Sequence, residues 1–311
     1  MKFTTEINIT PSIHRIQMRD TMVLMGSCFA QEVGSWFQTR RFSLCLNPNG
    51  ILFHPSVLAR VITRALEDKA YETSEWVEHN GLFHSFDHHG AFSSHDPESL
   101  TLIANEAQRG LRDAILKAST LVVTWGSAWG YKWTEDGRWV ANCHKIPQQR
   151  FAKELMDAAA IEAEWSELLQ SLWKYNPQLN VVFSVSPVRY WRDGAQGNQL
   201  SKSHLLIAAN QLTAAFSNVH YFPAYEILLD ELRDYRFYAA DLLHPSPVAV
   251  EYIIDKFQEM FFTEETKQYV RSLEPLLKFL AHRPLHISNE DWNERCSEKE
   301  EVIKQLINSM K

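Results

Sequence analysis

The sequence predicts an α/β fold, in which short buried strands alternate with amphipathic helices. The first strand is the mostly apolar run Thr21 to Met25, which Gly26 ends. From Ser27 onward the apolar residues recur every three or four positions, which is the spacing of a helix. Four further apolar runs predict the other strands, namely Phe42–Leu46, Leu121–Trp125, Asn180–Val185 and Val219–Phe222. Helical segments separate them, and this alternation is typical of the α/β class.

The junction after the first strand places a serine at the carboxyl end of a sheet, where open α/β folds bind their ligands. Ser27 is also expected near a helix N-terminus, whose free N–H groups and dipole favour developing negative charge. This position suits a nucleophile. An N-cap serine that only satisfies backbone donors has the same local sequence, and on Ser27 alone that interpretation is favoured.

A second chemical signal lies near the other end of the chain, where Asp241 precedes His244 by three residues. Across one turn the Asp can accept a hydrogen bond from Nδ1–H of the His, which leaves Nε2 facing outward. Such a His can take a proton from a serine hydroxyl while the Asp stabilises the imidazolium. A buried Asp–His pair that only tethers the loop is the alternative.

Taken together, these residues resemble the GSCFA family of the SGNH/GDSL hydrolase superfamily. Gly26-Ser-Cys-Phe-Ala30 spells the five letters of the family name without a substitution, and Asp241-x-x-His244 fits the same pattern. The resemblance runs from about Phe3 to about Phe262. It is supported by Val185-Ser-Pro-Val-Arg189, Tyr221-Phe-Pro-Ala-Tyr-Glu226 and His244-Pro-Ser246.

The resemblance implies a three-layer α/β/α, flavodoxin-like fold with a mainly parallel five-stranded sheet. It also implies a catalytic triad in the chain order Ser27, Asp241, His244. In this superfamily the N–H of the serine and that of a glycine after the second strand receive the oxyanion. Gly50, in the turn Asn47-Pro-Asn-Gly50, is the corresponding glycine here, although a plain turn glycine explains it equally well.

One expected oxyanion donor is missing. Many SGNH enzymes carry an asparagine two residues after the glycine that ends the third strand, but this chain has Gly126-Ser-Ala128. The Ser127 hydroxyl, a backbone N–H or Asn142 is expected to replace the missing amide. Loss of one such donor lowers the rate by about two to three orders of magnitude in other enzymes.

Two insertions are expected to border the cleft as hairpins. Glu75–Ser94 is rich in histidine and alternates in polarity, so His88 or His89 is a candidate substrate contact. The spacing of His84 and His88 also allows a metal site, which is the less favoured interpretation. In the second insertion, Asp136-Gly137 is a strong two-residue turn signal. Its aromatic residues Trp129 and Tyr131 are the best candidates for substrate contact.

The remaining segments predict helices and one loop. Pro55 to about Leu66, the segment that Asp96 caps, and about Phe151 to Trp173 are predicted as helices. Arg189 follows the fourth strand and is expected to contact a substrate oxygen or form a salt bridge. Trp191 to Gln199 is predicted as a loop and is a candidate lid, and a helix is predicted to start at Ser201.

Composition limits the classes of partner and the cellular compartment that are expected for this protein. The net charge of −7 argues against a nucleic-acid partner, and no apolar run of about 18 residues predicts a membrane span. The N-terminus has no signal-peptide pattern and the four cysteines form no CxxC pair, so a reduced, cytoplasmic protein is expected. No metal or organic cofactor is expected, because the predicted chemistry needs none.

Beyond Phe262 the composition changes to Glu, Lys and Leu. We therefore divide the chain into a catalytic domain, residues 1–262, and a C-terminal helical extension, residues 263–311. Two amphipathic helices are predicted there, with a break near Pro284 and a cap at Ser288. They are expected to pack on the domain or to form a homodimer.

The sequence thus predicts a serine esterase that removes an O-acyl group, most simply acetyl, from a carbohydrate or related small substrate. The substrate class rests on the superfamily resemblance alone, since a fold does not fix a function. Three alternatives stay open: an acyltransferase with the same residues, a non-catalytic glycan- or partner-binding protein on this scaffold, and a nucleophilic Cys28.

Overall fold

The computed structural model describes residues 4–310, in which a five-stranded parallel sheet is accompanied by two small antiparallel sheets. In chain order the strands are β1 (Thr21–Gly26), β2 (Ser43–Leu46), β3 (Val77–His79), β4 (Leu82–His84), β5 (Ser93–Ser94), β6 (Thr120–Trp125), β7 (Trp129–Trp133), β8 (Trp139–Val140), β9 (Phe151–Leu155), β10 (Asn180–Val185) and β11 (Val219–Phe222). The parallel sheet has the order β2-β1-β6-β10-β11, so its strands follow the flavodoxin-like order 2-1-3-4-5.

Helices cover both faces of this sheet. They are α1 (Cys28–Thr39), α2 (Pro55–Leu66), α3 (Pro97–Lys117), α4 (Ala158–Tyr175), α5 (Gly194–Ala215), α6 (Ala224–Glu226), α7 (Pro247–Phe261), α8 (Glu264–Ala281) and α9 (Asn289–Ser309). Alternate residues of each strand enter opposite layers. Val23 packs with α2 to α5, whereas Leu24 packs with α1 and α7. The three-layer α/β/α prediction is therefore confirmed.

The helix predicted from Phe151 to Trp173 begins later than expected, because Phe151–Leu155 is a strand. These residues form β9, which pairs antiparallel with β7, and α4 begins only at Ala158 after the N-cap Asp157. Phe151 packs against Phe86 and Trp133, at centroid distances of 5.9 and 5.1 Å. Pairing with the hairpin outweighs the local helical preference, because β propensity depends on cross-strand packing.

Helix α5 starts earlier than predicted. Trp191–Asp193 forms a 3₁₀ turn and α5 begins at Gly194, so most of the predicted loop from Trp191 to Gln199 is helical. Gly194 has φ +68°, which glycine adopts easily, and this lets the chain turn into the helix. The Trp129 indole donates to the Gly197 carbonyl at 3.0 Å and ties this first turn to β7.

The two C-terminal helices are present, with a break between Ala281 and Asn289 as predicted. Tyr269 and Leu273 of α8 and Ile303 of α9 are buried in the same apolar cluster as α1 and α7. The division into two domains stays a prediction. Among residues 4–310, no helix is long and apolar enough to cross a bilayer.

Candidate active site

The β1–α1 junction lies where the strand order of the sheet reverses, between β1 and β6, and open α/β folds bind ligands at this point. Gly26 has φ +142°, and a Cβ placed there would lie 2.2 Å from the Thr124 carbonyl oxygen of β6. Only glycine therefore lets β1 lie this close to β6. The sharp turn that results places Ser27 at the N-cap of α1.

Ser27 occupies the N-cap position but does not cap the helix. Its side chain accepts no hydrogen bond from the first turn of α1, and only 5% of the residue is exposed. The hydroxyl oxygen is buried and has no hydrogen-bond partner among residues 4–310. Leaving a buried polar group unpaired costs about 1–3 kcal/mol, so the capping role considered from the sequence does not explain this side chain.

The segment after β2 forms one wall of the junction. The Asn47 side chain accepts from the Gly26 N–H at 2.9 Å, and the Leu52 N–H donates to the Gly26 carbonyl at 3.2 Å. Further along, the Phe53 carbonyl accepts from the Gly126 N–H at 2.9 Å. The turn therefore connects the carboxyl ends of β1 and β6 on either side of Ser27.

Asp241 and His244 form the local pair that their spacing predicts. The Asp241 carboxylate accepts from Nδ1 of His244 at 2.6 Å, and from the backbone N–H groups of Leu243 at 2.9 Å and His244 at 3.0 Å. The backbone donors of His244 and Leu243, followed by the imidazole, lower the pKa of Asp241 to about 2. The carboxylate is thus ionised at neutral pH and orients the ring.

The loop that carries this pair is tied to the end of β10 and to α7. The Arg189 N–H donates to the Leu243 carbonyl at 3.2 Å, and the Ala239 N–H donates to the His244 carbonyl at 2.8 Å. Ser246 then caps α7. About half of the His244 side chain is exposed, and Nε2 has no partner in the part of the chain that the structure describes. In this conformation, therefore, His244 and Ser27 are not hydrogen-bonded.

The predicted oxyanion donors mostly have other partners. The Ser27 N–H donates to the Thr124 carbonyl at 3.1 Å, and the Gly50 N–H donates to the Asn47 carbonyl at 2.8 Å. The Ser127 hydroxyl lies 3.1 Å from that of Ser201 and accepts from the Trp129 N–H.

The fourth candidate, Asn142, accepts from the His144 N–H at 2.7 Å, and its side chain lines a cavity.

Two open cavities flank the segment that follows β10. One, of about 700 Å³, is lined by Arg189, Trp191 and Asp241 among others. The second, of about 670 Å³, is lined by Trp129 and Tyr131 of β7 and by further polar and aromatic side chains, including Asn142, Tyr190 and Arg192. Arg189 forms no salt bridge with the described residues, so its guanidinium is not neutralised by a carboxylate.

His88 is not placed to contact a ligand. It is fully buried, with Nδ1 2.6 Å from the Ser85 hydroxyl and its ring stacked on Phe92 at 4.5 Å. It lines neither of the two cavities. This corrects the expectation of a substrate contact, because the whole ring is enclosed by the protein, with its Nε2 left without a hydrogen-bond partner among residues 4–310. The residues of the described chain contain no His, Cys, Asp and Glu group suited to a metal ion.

Sequence reasoning missed Lys202. Its side chain is fully buried on α5, where its ammonium donates to the carbonyls of Gly126 and Ser186, each at 2.7 Å. Burial, and secondarily the nearby charge of Arg189, lower the pKa of Lys202 to about 7. No sequence signal marks a lysine as buried when its acceptors are backbone carbonyls of distant loops.

The model of the GSCFA family matches residues 21–257. The chain belongs to the GSCFA family. The match begins with β1 and ends within α7, so Ser27, Asp241 and His244 all lie inside the GSCFA region, whereas α8 and α9 lie outside it.

Similarity to solved structures is much weaker. Among solved structures, "a putative platelet activating factor from Streptococcus pneumonia" is similar, with a TM-score of 0.38 and 10% identity over 78% of this chain and 83% of that chain. This likeness is too remote to bear on the function of this GSCFA protein. Comparison with curated proteins gives no match.

Proposed function

We propose that this GSCFA protein is a serine esterase of the SGNH type, with Ser27 as the nucleophile. The observation that carries the proposal is the buried Ser27 hydroxyl, which sits at a helix N-cap without capping it. A polar group kept unpaired at the reversal point of the strand order is better explained by chemistry than by stability. Family membership and the Asp241–His244 pair support the same function.

In the proposed mechanism, the Ser27 oxygen attacks the carbonyl carbon of the ester while Nε2 of His244 accepts the hydroxyl proton. Asp241 holds the ring and stabilises the imidazolium. The alcohol then leaves with that proton, and water hydrolyses the acyl-enzyme by the same route. The Ser27–His244 hydrogen bond must form when substrate binds. Catalytic hydrogen bonds are often long or poorly aligned in the free enzyme and tighten in the complex with substrate.

For the oxyanion we propose the N–H groups of Ser27 and Gly50, helped by Ser127 or Asn142. The first two must exchange their present carbonyl partners for the substrate oxygen. The positive end of the α1 dipole favours this exchange, because negative charge develops at the helix N-terminus.

The substrate proposal is an O-acyl group on a carbohydrate or related small molecule. Trp129 and Tyr131 line a cavity of about 670 Å³, which is large enough for a sugar ester, and their flat faces suit sugar rings. Arg189 lines the neighbouring cavity beside Asp241. A cytoplasmic location and a homodimer through α8 and α9 remain predictions.

A second candidate function is non-catalytic binding on the same scaffold. Two observations favour it: Ser27 and His244 are not hydrogen-bonded, and the Ser27 and Gly50 amides already have carbonyl partners. Cys28 is a weaker rival for the nucleophile, because burial is the main cause that raises the pKa of its thiol, and it keeps the thiol protonated.

Hydrolysis of 4-nitrophenyl acetate and of acetylated xylose by the wild type and Ser27→Ala separates these functions. We expect release of acetate by the wild type and a rate at background for Ser27→Ala. Cys28→Ala is the matched control, since it alters the neighbouring residue, and it should retain activity within about threefold. Equal background rates for the wild type and Ser27→Ala on both esters would instead favour binding.

A further inference from the structure

Lys202 is an unusual feature of the core because its amino group has no carboxylate partner among the ion pairs of residues 4–310. The residue is 1% exposed. Buried charges in proteins are generally paired with an opposite charge, since transfer of an ion from water is costly. Here two backbone carbonyls, those of Gly126 and Ser186, are the acceptors at 2.7 Å.

Both carbonyls belong to segments that border the candidate active site. Gly126 directly follows β6 and Ser186 directly follows β10, so Lys202 joins the carboxyl ends of two neighbouring strands. Gly126 is also next to the proposed nucleophile, since a Cβ placed on it would lie 3.4 Å from the Ser27 Cβ.

The residue before Lys202 holds the same loop. The Ser201 hydroxyl accepts from the Ala128 N–H at 2.8 Å and lies 3.1 Å from the Ser127 hydroxyl. Helix α5 therefore contacts three consecutive residues, 126 to 128, through two consecutive side chains. This is the loop in which the sequence lacks the asparagine expected for an SGNH oxyanion hole.

In the peptide between Gly126 and Ser127, the N–H group makes only a long hydrogen bond. The peptide carbonyl faces Lys202, whereas the N–H, on Ser127, makes a long bond of 3.4 Å to the Phe53 carbonyl. The Gly126 N–H makes a shorter bond of 2.9 Å to that same oxygen. The Ser127 N–H is thus the amide of this loop that loses least when it turns to a substrate.

We propose that Lys202 is a positioning residue for the oxyanion hole, which fixes the Gly126–Ser127 peptide so that the Ser127 N–H serves as an oxyanion donor beside Ser27. When Lys202 is protonated, its charge beside the carbonyl also polarises the peptide, and this strengthens the N–H as a donor. The inference rests on the proposed esterase function, and it names a backbone amide where the usual asparagine is missing.

The test compares Lys202→Met with the matched control Lys256→Met, which removes another largely buried lysine, on α7 beside Glu231. On 4-nitrophenyl acetate we expect Lys202→Met to lower kcat at least tenfold with KM changed by less than about twofold, because the donor acts on the transition state. Lys256→Met should keep kcat within about twofold. Circular dichroism establishes the temperature range in which each variant is folded.

Chemical rescue separates positioning from general loss of structure. Lys202→Ala is assayed with added propylamine hydrochloride and, as the uncharged control, with propanol. Partial recovery of kcat with the amine alone supports the proposal. A kcat for Lys202→Met equal to that of the wild type, or a loss in Lys202→Met that follows its unfolded fraction with no amine rescue, overturns it.

Hydrogen exchange tests the inference even if the esterase function fails. If the wild type shows no Ser27-dependent hydrolysis, exchange is measured by mass spectrometry in peptides that span residues 124–130 and 184–190. Faster exchange of both in Lys202→Met than in Lys256→Met supports positioning of the two loops by Lys202. Equal exchange in the two variants overturns it.

Discussion

Asn47→Ala tests how the end of β1 is held beside Ser27. The Asn47 side chain is the acceptor for the Gly26 N–H at 2.9 Å, and Asn47 itself is buried, with φ +40°. Its removal leaves the Gly26 N–H unpaired, which costs about 1–3 kcal/mol. Alanine in the left-handed region costs about 1 kcal/mol more, because its Cβ crowds the following carbonyl. We expect Asn47→Ala to lower the free energy of unfolding by about 2–4 kcal/mol.

Two variants separate these contributions. Asn47→Gly loses the same hydrogen bond but tolerates the positive φ, so it should be about 1 kcal/mol more stable than Asn47→Ala. Gln31→Ala removes only the acceptor of the Asn47 side-chain amide, at 3.0 Å and half-buried, and should cost about 0.5–1 kcal/mol.

Urea unfolding followed by tryptophan fluorescence measures all three variants. With an m-value of about 3 kcal/mol/M, Asn47→Ala should shift the midpoint by about 1 M. If Asn47→Ala proves no less stable than Gln31→Ala, the Gly26 N–H does not depend on Asn47, contrary to this prediction.

Two further predictions concern charges. Asp241→Asn should lower kcat/KM on 4-nitrophenyl acetate by about 10²-fold. This is less than the roughly 10⁴-fold loss in a buried triad, because the Asp241–His244 pair is half exposed. A loss under threefold would contradict an orienting role. Burial alone would raise the pKa of Asp87, but the charge and hydrogen bond of Arg60 hold it below its ordinary value of 3.8. The ionised carboxylate therefore adds stability above pH 3.8, and this stability is lost as the pH falls below that value. Between pH 5 and 3, the urea midpoint of Asp87→Asn should fall less than that of the wild type. Parallel falls of the two midpoints would contradict this prediction.

The parts of the site that are local in sequence could be predicted. The apolar run, Gly26 and the change of period place Ser27 at the strand–helix junction, and this junction forms as expected. The spacing of Asp241 and His244 likewise predicts their hydrogen bond, because three residues are enough to close one turn. Such features depend on neighbouring residues, which the sequence displays directly.

The parts that depend on distant residues could not be predicted. Phe151–Leu155 has no strong strand signal of its own and becomes a strand because β7 offers a partner. The engagement of the Ser27 and Gly50 amides depends on the Thr124 and Asn47 carbonyls. From sequence alone Lys202 is expected on the exposed face of a helix. It is buried because the fold brings the ends of two strands to its amino group.

The central claim is that His244 activates the hydroxyl of Ser27. Reaction with a fluorophosphonate, which requires an activated hydroxyl, tests it most directly, with intact mass to count the adducts and peptide mass spectrometry to locate them. The account predicts a single adduct on Ser27 in the wild type and a rate at least about 100-fold lower in His244→Ala. An adduct on Cys28, no adduct at all, or equal rates in the wild type and His244→Ala would contradict it.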